Sequence, residues 1–284
     1  MTNPIVALID GSSYAASVCE HAAWVSARTG APVDLLHVLG RREGAVPQDL
    51  SGAIRLGART RLLEELAELD AQRSKLATRQ GRAMLEDAAE LARQSGATEV
   101  RTRLLHGDLI ETVAKLEPEA RAIVIGKRGV AADFAKGHLG SNLERIARGS
   151  RKPVLVASRA FRPIARTIIA FDGGDSAMKA VRHVADSPLY RDLAISLITV
   201  SEPGPAAQAR IEAAQAVLED AGRKAEARFV RGEPETALPQ IIADEEFDLL
   251  VMGAYGHSRI RSLMIGSTTT QMIRSCKVPV VLYR

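Results

Sequence analysis

The chain has 284 residues, room for two domains of ordinary size with a core each. Its 46% hydrophobic and 25% charged residues are globular values, while 4% aromatics and a scattered net charge of +4 argue against nucleic-acid binding. No apolar run approaches the ~18–20 residues needed to span a bilayer, and Met1-Thr2-Asn3-Pro4 enters a strand without an export signal, so a cytoplasmic protein without membrane contact is expected.

Short β-rich apolar runs alternate with helical stretches. The first run, Ile5–Asp10, is followed by Asp10-Gly11-Ser12-Ser13, a turn that opens a helix carrying Ala15, Val18, Cys19, Ala22 and Val25 at helical spacing. Gly30 stops it, and Trp24 within it reads as packing. Cys19 and Cys276 have spacing for neither a metal site nor a disulfide framework, and each reads as a small buried hydrophobe. The second run is Val33–Leu39. A long helical stretch from about Gly57 to Gln94 follows, with Leu62, Leu66, Leu69, Leu76, Leu85 and Leu91. A continuous helix of ~38 residues would be ~57 Å long, wider than a small domain. A break near Gly81 or an overhang used in assembly is therefore expected. The runs Val100–Leu105, Ala122–Gly126 and Val154–Ala157 complete the first half.

Phe161-Arg162-Pro163 reads as the linker. Beyond it come Thr167–Asp172, Leu193–Val200, Ala225–Val230, Phe247–Gly253 and Val278–Tyr283. Asp172-Gly173-Gly174-Asp175-Ser176 opens a helix at Ala177, Ala180 and Val184, as Asp10-Gly11-Ser12 does in the first half. Asp10 and Asp172 stand 162 residues apart but Gly126 and Gly253 only 127, so the first copy holds 35 more residues between these landmarks. They fall after the second strand, where the second copy has only Ala206–Ala221. Two domains are expected, 1–160 with the long helical insertion and 161–284. The nearly continuous apolar runs (Ile123-Val124-Ile125, Leu249-Leu250-Val251-Met252) imply parallel sheets covered on both faces.

The most informative stretch is Gly253-Ala254-Tyr255-Gly256, followed after nine residues by Gly266-Ser267-Thr268. It starts where a buried strand ends, and Gly266-Ser267 opens a helix. At the carboxyl edge of an open α/β sheet such a loop brings backbone N–H groups to phosphate oxygens, aided by the helix N-terminus. Ser267 and Thr268 can donate to the same oxygens or cap the helix. No G-x-x-x-x-G-K-[ST] is present, and no G-x-G-x-x-G follows the first strand of either copy.

On these residues the sequence resembles the universal stress protein family in its tandem form. ATP-binding members of that family carry G-x2-G-x9-G-[ST] after the fourth strand and an Asp-Gly-Ser-like turn after the first. Gly253, Gly256, Gly266 and Ser267 match at every spacing. The resemblance implies two Rossmann-like domains, each a five-stranded parallel sheet in the order 3-2-1-4-5. It implies that Asp172 meets the ribose or adenine, that the backbone near Val200 lies against the base, and that Met252, Gly253, Gly256, Gly266, Ser267 and Thr268 hold ribose and phosphates. Asp172 has a plainer reading as a strand-end cap for the next helix. The first copy departs from the pattern: Gly126-Lys127-Arg128-Gly129 precedes Gly140-Ser141 by ten residues. Asp10, Gly126, Gly129, Gly140 and Ser141 are its counterpart set, with Lys127 and Arg128 either adding charge or merely solvated.

None of the six histidines forms a catalytic or metal constellation. His37 and His183 read as structural, and His106 aligns with Arg231 of the other copy. His257 lies in the glycine loop, where the first copy has Val130. Without a positioned general base, any ATPase activity is expected to be slow. The expected function is a stress or signalling protein that binds ATP or a related adenine nucleotide, with or without Mg2+ and with no metal site of its own. The alternative is a nucleotide-free scaffold acting through protein contacts. Replacing Gly253 by Val is expected to abolish binding and leave the fold nearly intact.

The resemblance also bears on assembly. In the order 3-2-1-4-5 the fifth strand is an apolar edge, here Pro153-Val154-Leu155-Val156-Ala157 and Pro279-Val280-Val281-Leu282-Tyr283. Single-domain members bury this edge by dimerising. The two fifth strands are expected to pack antiparallel within the chain, an intramolecular pseudo-dimer, with a homodimer as a further option.

Overall fold

The computed structural model describes residues 3–40, 56–129, 139–254 and 267–284. In the first half β1 (Ile5–Leu8), β2 (Val33–Leu39), β3 (Val100–His106), β4 (Ala122–Gly126) and β5 (Val154–Ala157) alternate with α1 (Ala15–Thr29), α2 (Leu56–Gln94), α3 (Leu109–Leu116) and α4 (Ser141–Gly149). The second half repeats this with β6 (Arg166–Ala170), β7 (Ala194–Val200), β8 (Ala225–Val230), β9 (Leu249–Gly253) and β10 (Val280–Tyr283). Its helices are α5 (Asp175–Asp186), α6 (Pro205–Asp220), α7 (Pro234–Asp244) and α8 (Ser267–Ser275).

Within each half all pairings are parallel, in the order 3-2-1-4-5. The two halves form one ten-stranded sheet, because β5 and β10 pair antiparallel with Val280 opposite Val156, Val281 opposite Leu155 and Leu282 opposite Val154. None of these six side chains is more than 2% exposed, so the pairing removes both apolar edges from water. Strands β1, β5 and β10 are buried along their whole length, and β4 and β9 at all but one end residue, whereas no residue of the outer strands β3 and β8 is fully buried.

Contacts outside the sheet also join the halves. Arg28 of α1 donates through Nε to the Leu189 carbonyl at 2.7 Å. His21 of α1 is fully buried, edge-on to Phe161 of the linker with ring centroids 5.1 Å apart. Its Nδ1–H donates to the Ser17 carbonyl at 2.6 Å, and the Ser17 hydroxyl donates to the Ser158 carbonyl at 2.7 Å. His21 Nε2 is buried with no hydrogen-bond partner. Burial pushes this imidazole down to about 4, so the ring is neutral near pH 7.

The 39-residue helix α2 is unbroken, and of the two expectations for the long segment, a break near Gly81 or an overhang, the break is absent. Gly81 is buried where the helix crosses β2 and β3. A Cβ there would lie 2.9 Å from Leu104 Cδ1 and 3.0 Å from His37 Cδ2. The glycine permits close helix–sheet approach, and that packing outweighs its propensity cost of about 1 kcal/mol. Leu85, Ala88, Ala89 and Ala92 continue the packed face, while Leu63, Leu69 and Leu76 are half exposed or more.

Candidate functional site

Strands β1 and β4 end side by side because they pair in register, which brings the turn after β1 against the loop after β4. Asp10 opens the first: its Oδ1 accepts the Ser12 backbone N–H at 3.1 Å. The other carboxylate oxygen faces the loop, since a Cβ on Gly129 would lie 2.9 Å from Asp10 Oδ2. At Gly126 a Cβ would meet Tyr14 Cβ at 2.7 Å, so that glycine makes room for the start of α1. The far end of the loop is tied back by Gly140 N–H donating to the Lys127 carbonyl at 3.2 Å. Gly140 is the N-cap of α4, with extended backbone (φ −62°, ψ 129°) and no side-chain cap. The first-turn N–H groups after it, beginning at Ser141, lack intrahelical partners and carry the positive end of the helix dipole.

These pieces bound a cavity of ≈ 1070 Å³ at the carboxyl edge of the first half's sheet. Asp10, Gly126, Gly129, Gly140 and Ser141 all line it, so the counterpart set of the first copy converges on one space. Arg128 lines it too. Lys127 does not: it is 8% exposed and its ammonium donates to the Cys276 carbonyl in the other half. Burial draws its pKa down to about 8, and the same enclosure raises the Cys276 thiol to about 11. Of Lys127 and Arg128, then, it is Arg128 that faces the cavity.

Two parts of this wall were missed in the sequence. Ala77, Gln80, Gly81 and Met84 of α2 close one side, and His37 lines the cavity from β2. The His37 Nδ1–H donates to the Ile9 carbonyl at 2.8 Å, which leaves Nε2 as an acceptor. The available signal was Gly81 itself, a glycine in helical register with Leu85, Ala88 and Ala92. The first half thus uses its additional helix length as a side wall.

In the second half, Gly256 and Gly266 lie outside the described residues, as do Tyr255 and His257. Asp172 follows the end of β6, and its Oδ1 accepts Gly174 N–H at 2.8 Å, which fixes the turn before α5. This contact closes the turn and is not a helix cap, since Gly174 is itself the N-cap of α5 and α5 has no side-chain cap. Val200 ends β7, and Met252 and Gly253 end β9. A Cβ on Gly253 would collide with Ser176 Oγ and approach Ala177 N to 2.9 Å and Ser176 C to 3.1 Å. Two of those atoms are α5 backbone and cannot swing aside. The expectation that Gly253→Val leaves the fold nearly intact is corrected on that ground: Gly253 is needed first for the seating of α5.

Ser267 begins α8. The Thr268 hydroxyl donates to Glu235 Oε1 at 3.4 Å and that of Thr269 to the Ala254 carbonyl at 3.2 Å. The first turn of α8 is thus fastened to the end of β9. His183 is a packing residue, its ring 5.1 Å from that of Tyr283 and its pKa lowered chiefly by burial. Among the described residues no group of three His, Cys, Asp or Glu side chains could hold a metal ion, and no helix is long and apolar enough to cross a membrane.

Comparison with known proteins agrees with this architecture. A universal stress protein of Synechocystis, Slr1230, is 38% identical over 284 residues, covering 99% of both chains. Mycobacterium tuberculosis Rv1996, another universal stress protein, is 25% identical over 220 residues, 69% of each chain. The crystal structure of a universal stress protein from Archaeoglobus fulgidus superposes with a TM-score of 0.70 at 19% identity, covering 100% of this chain and 99% of that one. The model of the universal stress protein family matches twice, at residues 1–158 and 164–284, and with the full-length relative this makes the chain a member of the universal stress protein family in tandem form.

Proposed function

We propose that the protein binds ATP or a related adenine nucleotide and works as a nucleotide-dependent stress or signalling protein, its two units being residues 1–160 and 161–284. The observation that carries this is the cavity of the first half, which ends on glycine backbone and on the uncapped N-terminus of α4. Such an end suits phosphate oxygens. The cavity volume accommodates a nucleotide. Asp10, with a carboxylate oxygen facing Gly129, suits ribose hydroxyls as an acceptor. Gly126, Gly129, Gly140 and Ser141 would hold phosphates, and Arg128 would offset their charge. By repetition of the motif Asp172, Val200, Met252, Gly253, Gly256, Gly266, Ser267 and Thr268 would form a second site. A bound Mg2+ would be held through the phosphates.

A second reading, a nucleotide-free scaffold, draws on one observation. The Glu235 carboxylate sits against Thr268 at the start of α8, where an anion would have to approach.

The test is the nucleotide content of freshly purified protein after denaturation, followed by calorimetry with ATP. Two binding equivalents are expected. Gly140→Val should remove one, because Gly140 has ordinary backbone angles and its Cβ would come no closer than 3.5 Å to the loop backbone. Asp172→Asn, which keeps the acceptor for Gly174, should weaken the other. No released nucleotide and no heat of binding would exclude the nucleotide reading.

A further inference from the structure

Helix α2 is about 58 Å long at 1.5 Å per residue, yet only its C-terminal part, from Gly81 onward, is seated against the sheet and α1. Residues 63–65, 67–69 and 71–76 are all exposed. This free part is not uniformly polar. Leu62, Leu66, Leu69 and Leu76 fall on one stripe, with Arg73 and Gln80 at the intervening seam positions. At 100° per residue that stripe lies roughly a third of a turn from the Gly81–Ala92 face, so it is not the core face running on past its partner. Leu69 is 51% and Leu76 65% exposed, an unusual cost for side chains that any polar residue could replace.

Nothing within the described chain occupies the stripe. The matching helix of the second half, α6, has 16 residues and packs on its own sheet with Ile211, Ala214 and Leu218 buried.

The charges beside the stripe identify what fits. Glu64, Glu65, Glu68 and Asp70 form an acidic block, and Arg73, Lys75, Arg79 and Arg82 a basic block directly after it. A copy of the same helix running the other way sets each block against its opposite. We propose that two copies of this protein associate through the free part of α2, paired antiparallel about a two-fold axis, with Leu66 of one copy against Leu76 of the other and Glu65 against Arg79. In this register Leu69 meets the aliphatic stem of Arg73, whose charge reaches Asp70 of the second copy. A parallel pairing would stack Arg73 on Arg73 and set Glu65 beside Asp70, whereas the antiparallel register brings only Asp70 near its own copy, at the two-fold axis, with an Arg73 beside each. The arrangement is isologous and closes at two copies.

The test is sedimentation velocity and light scattering of the full chain across about 1–100 µM. A species of twice the 30.5 kDa chain mass is expected. Leu69→Glu combined with Leu76→Glu should give a monomer, at least about a hundredfold weaker in self-association, with unchanged circular dichroism because both residues are solvent-exposed in the single chain, and with a melting temperature that no longer rises with protein concentration. Glu65→Arg alone should weaken the dimer, and Glu65→Arg with Arg79→Glu should restore it. A wild-type monomer throughout the range, or a dimer that survives the double leucine variant, overturns the proposal. Failure of the charge exchange to restore association overturns the antiparallel register. Nucleotide content does not enter these readouts, so they stand or fall apart from the functional reading.

Discussion

His21 offers a quantitative probe of how the halves are joined. Its ring is completely buried between α1 and Phe161, with Nδ1–H bonded to the Ser17 carbonyl and Nε2 without a partner. A proton on Nε2 would create a buried cation with no acceptor, which is why the folded-state pKa falls from 6.5 to about 4. The folded value is the lower one, so the unfolded chain takes up a proton first as the pH drops. Stability is therefore fully present above pH 6.5, declines as the pH falls below it, and levels off near pH 4. Between pH 7.5 and pH 5 the linkage relation gives a loss of about 2 kcal/mol from this group alone. Other groups titrate in that window, including His183, whose pKa is also lowered. The informative quantity is thus the difference between the protein and a His21→Leu variant. Urea unfolding followed by far-ultraviolet circular dichroism at half-unit pH steps would measure it. The variant should be less sensitive to acid by about 2 kcal/mol at pH 5, whatever its stability at pH 7.5. Parallel pH curves would show that His21 titrates normally and that the linker contact opens to water.

Two further outcomes follow from the same packing. Val280→Asp puts a carboxyl into the fully buried β5–β10 seam and should cost more than about 4 kcal/mol, seen as a lowered melting temperature and increased dye binding; an unchanged melt would contradict the seam. Gly253→Ala forces a Cβ onto the backbone of Ser176 and Ala177 and should lower stability by about 2 kcal/mol in protein stripped of nucleotide, whereas loss of nucleotide affinity at wild-type stability would mean that Gly253 serves the ligand alone.

The strands were legible because a parallel sheet covered on both faces needs uninterrupted apolar runs, such as Ile123-Val124-Ile125 and Leu249–Met252, whereas their order came from the family resemblance alone. The motif spacing pointed to the second half as the intact copy, yet the described cavity is in the first. The matching loop of the second half, residues 255–266, lies outside the described residues. Gly81 misled because a glycine deep in a helical run weakens the helix in isolation, and only the positions of His37 and Leu104 reveal what it allows. The direction of Lys127 depends on a carbonyl 149 residues further along, beyond anything local sequence encodes. The α2 side wall was hidden for the same reason, since nothing in Ala77 or Gln80 announces a neighbouring cleft.

Because β5 and β10 belong to one chain, the seam forms at an effective concentration set by the tether, and dilution does not part it. A dimer of identical domains experiences every substitution at two places at once, whereas here each side of the seam can change alone. Lys127, which crosses to Cys276, has Ala254 as its counterpart after β9. The ten-residue spacing in one loop and nine in the other is the same freedom applied to the candidate sites. Fusion thus allows the two related loops to diverge separately while the halves that carry them stay fixed to each other through the seam.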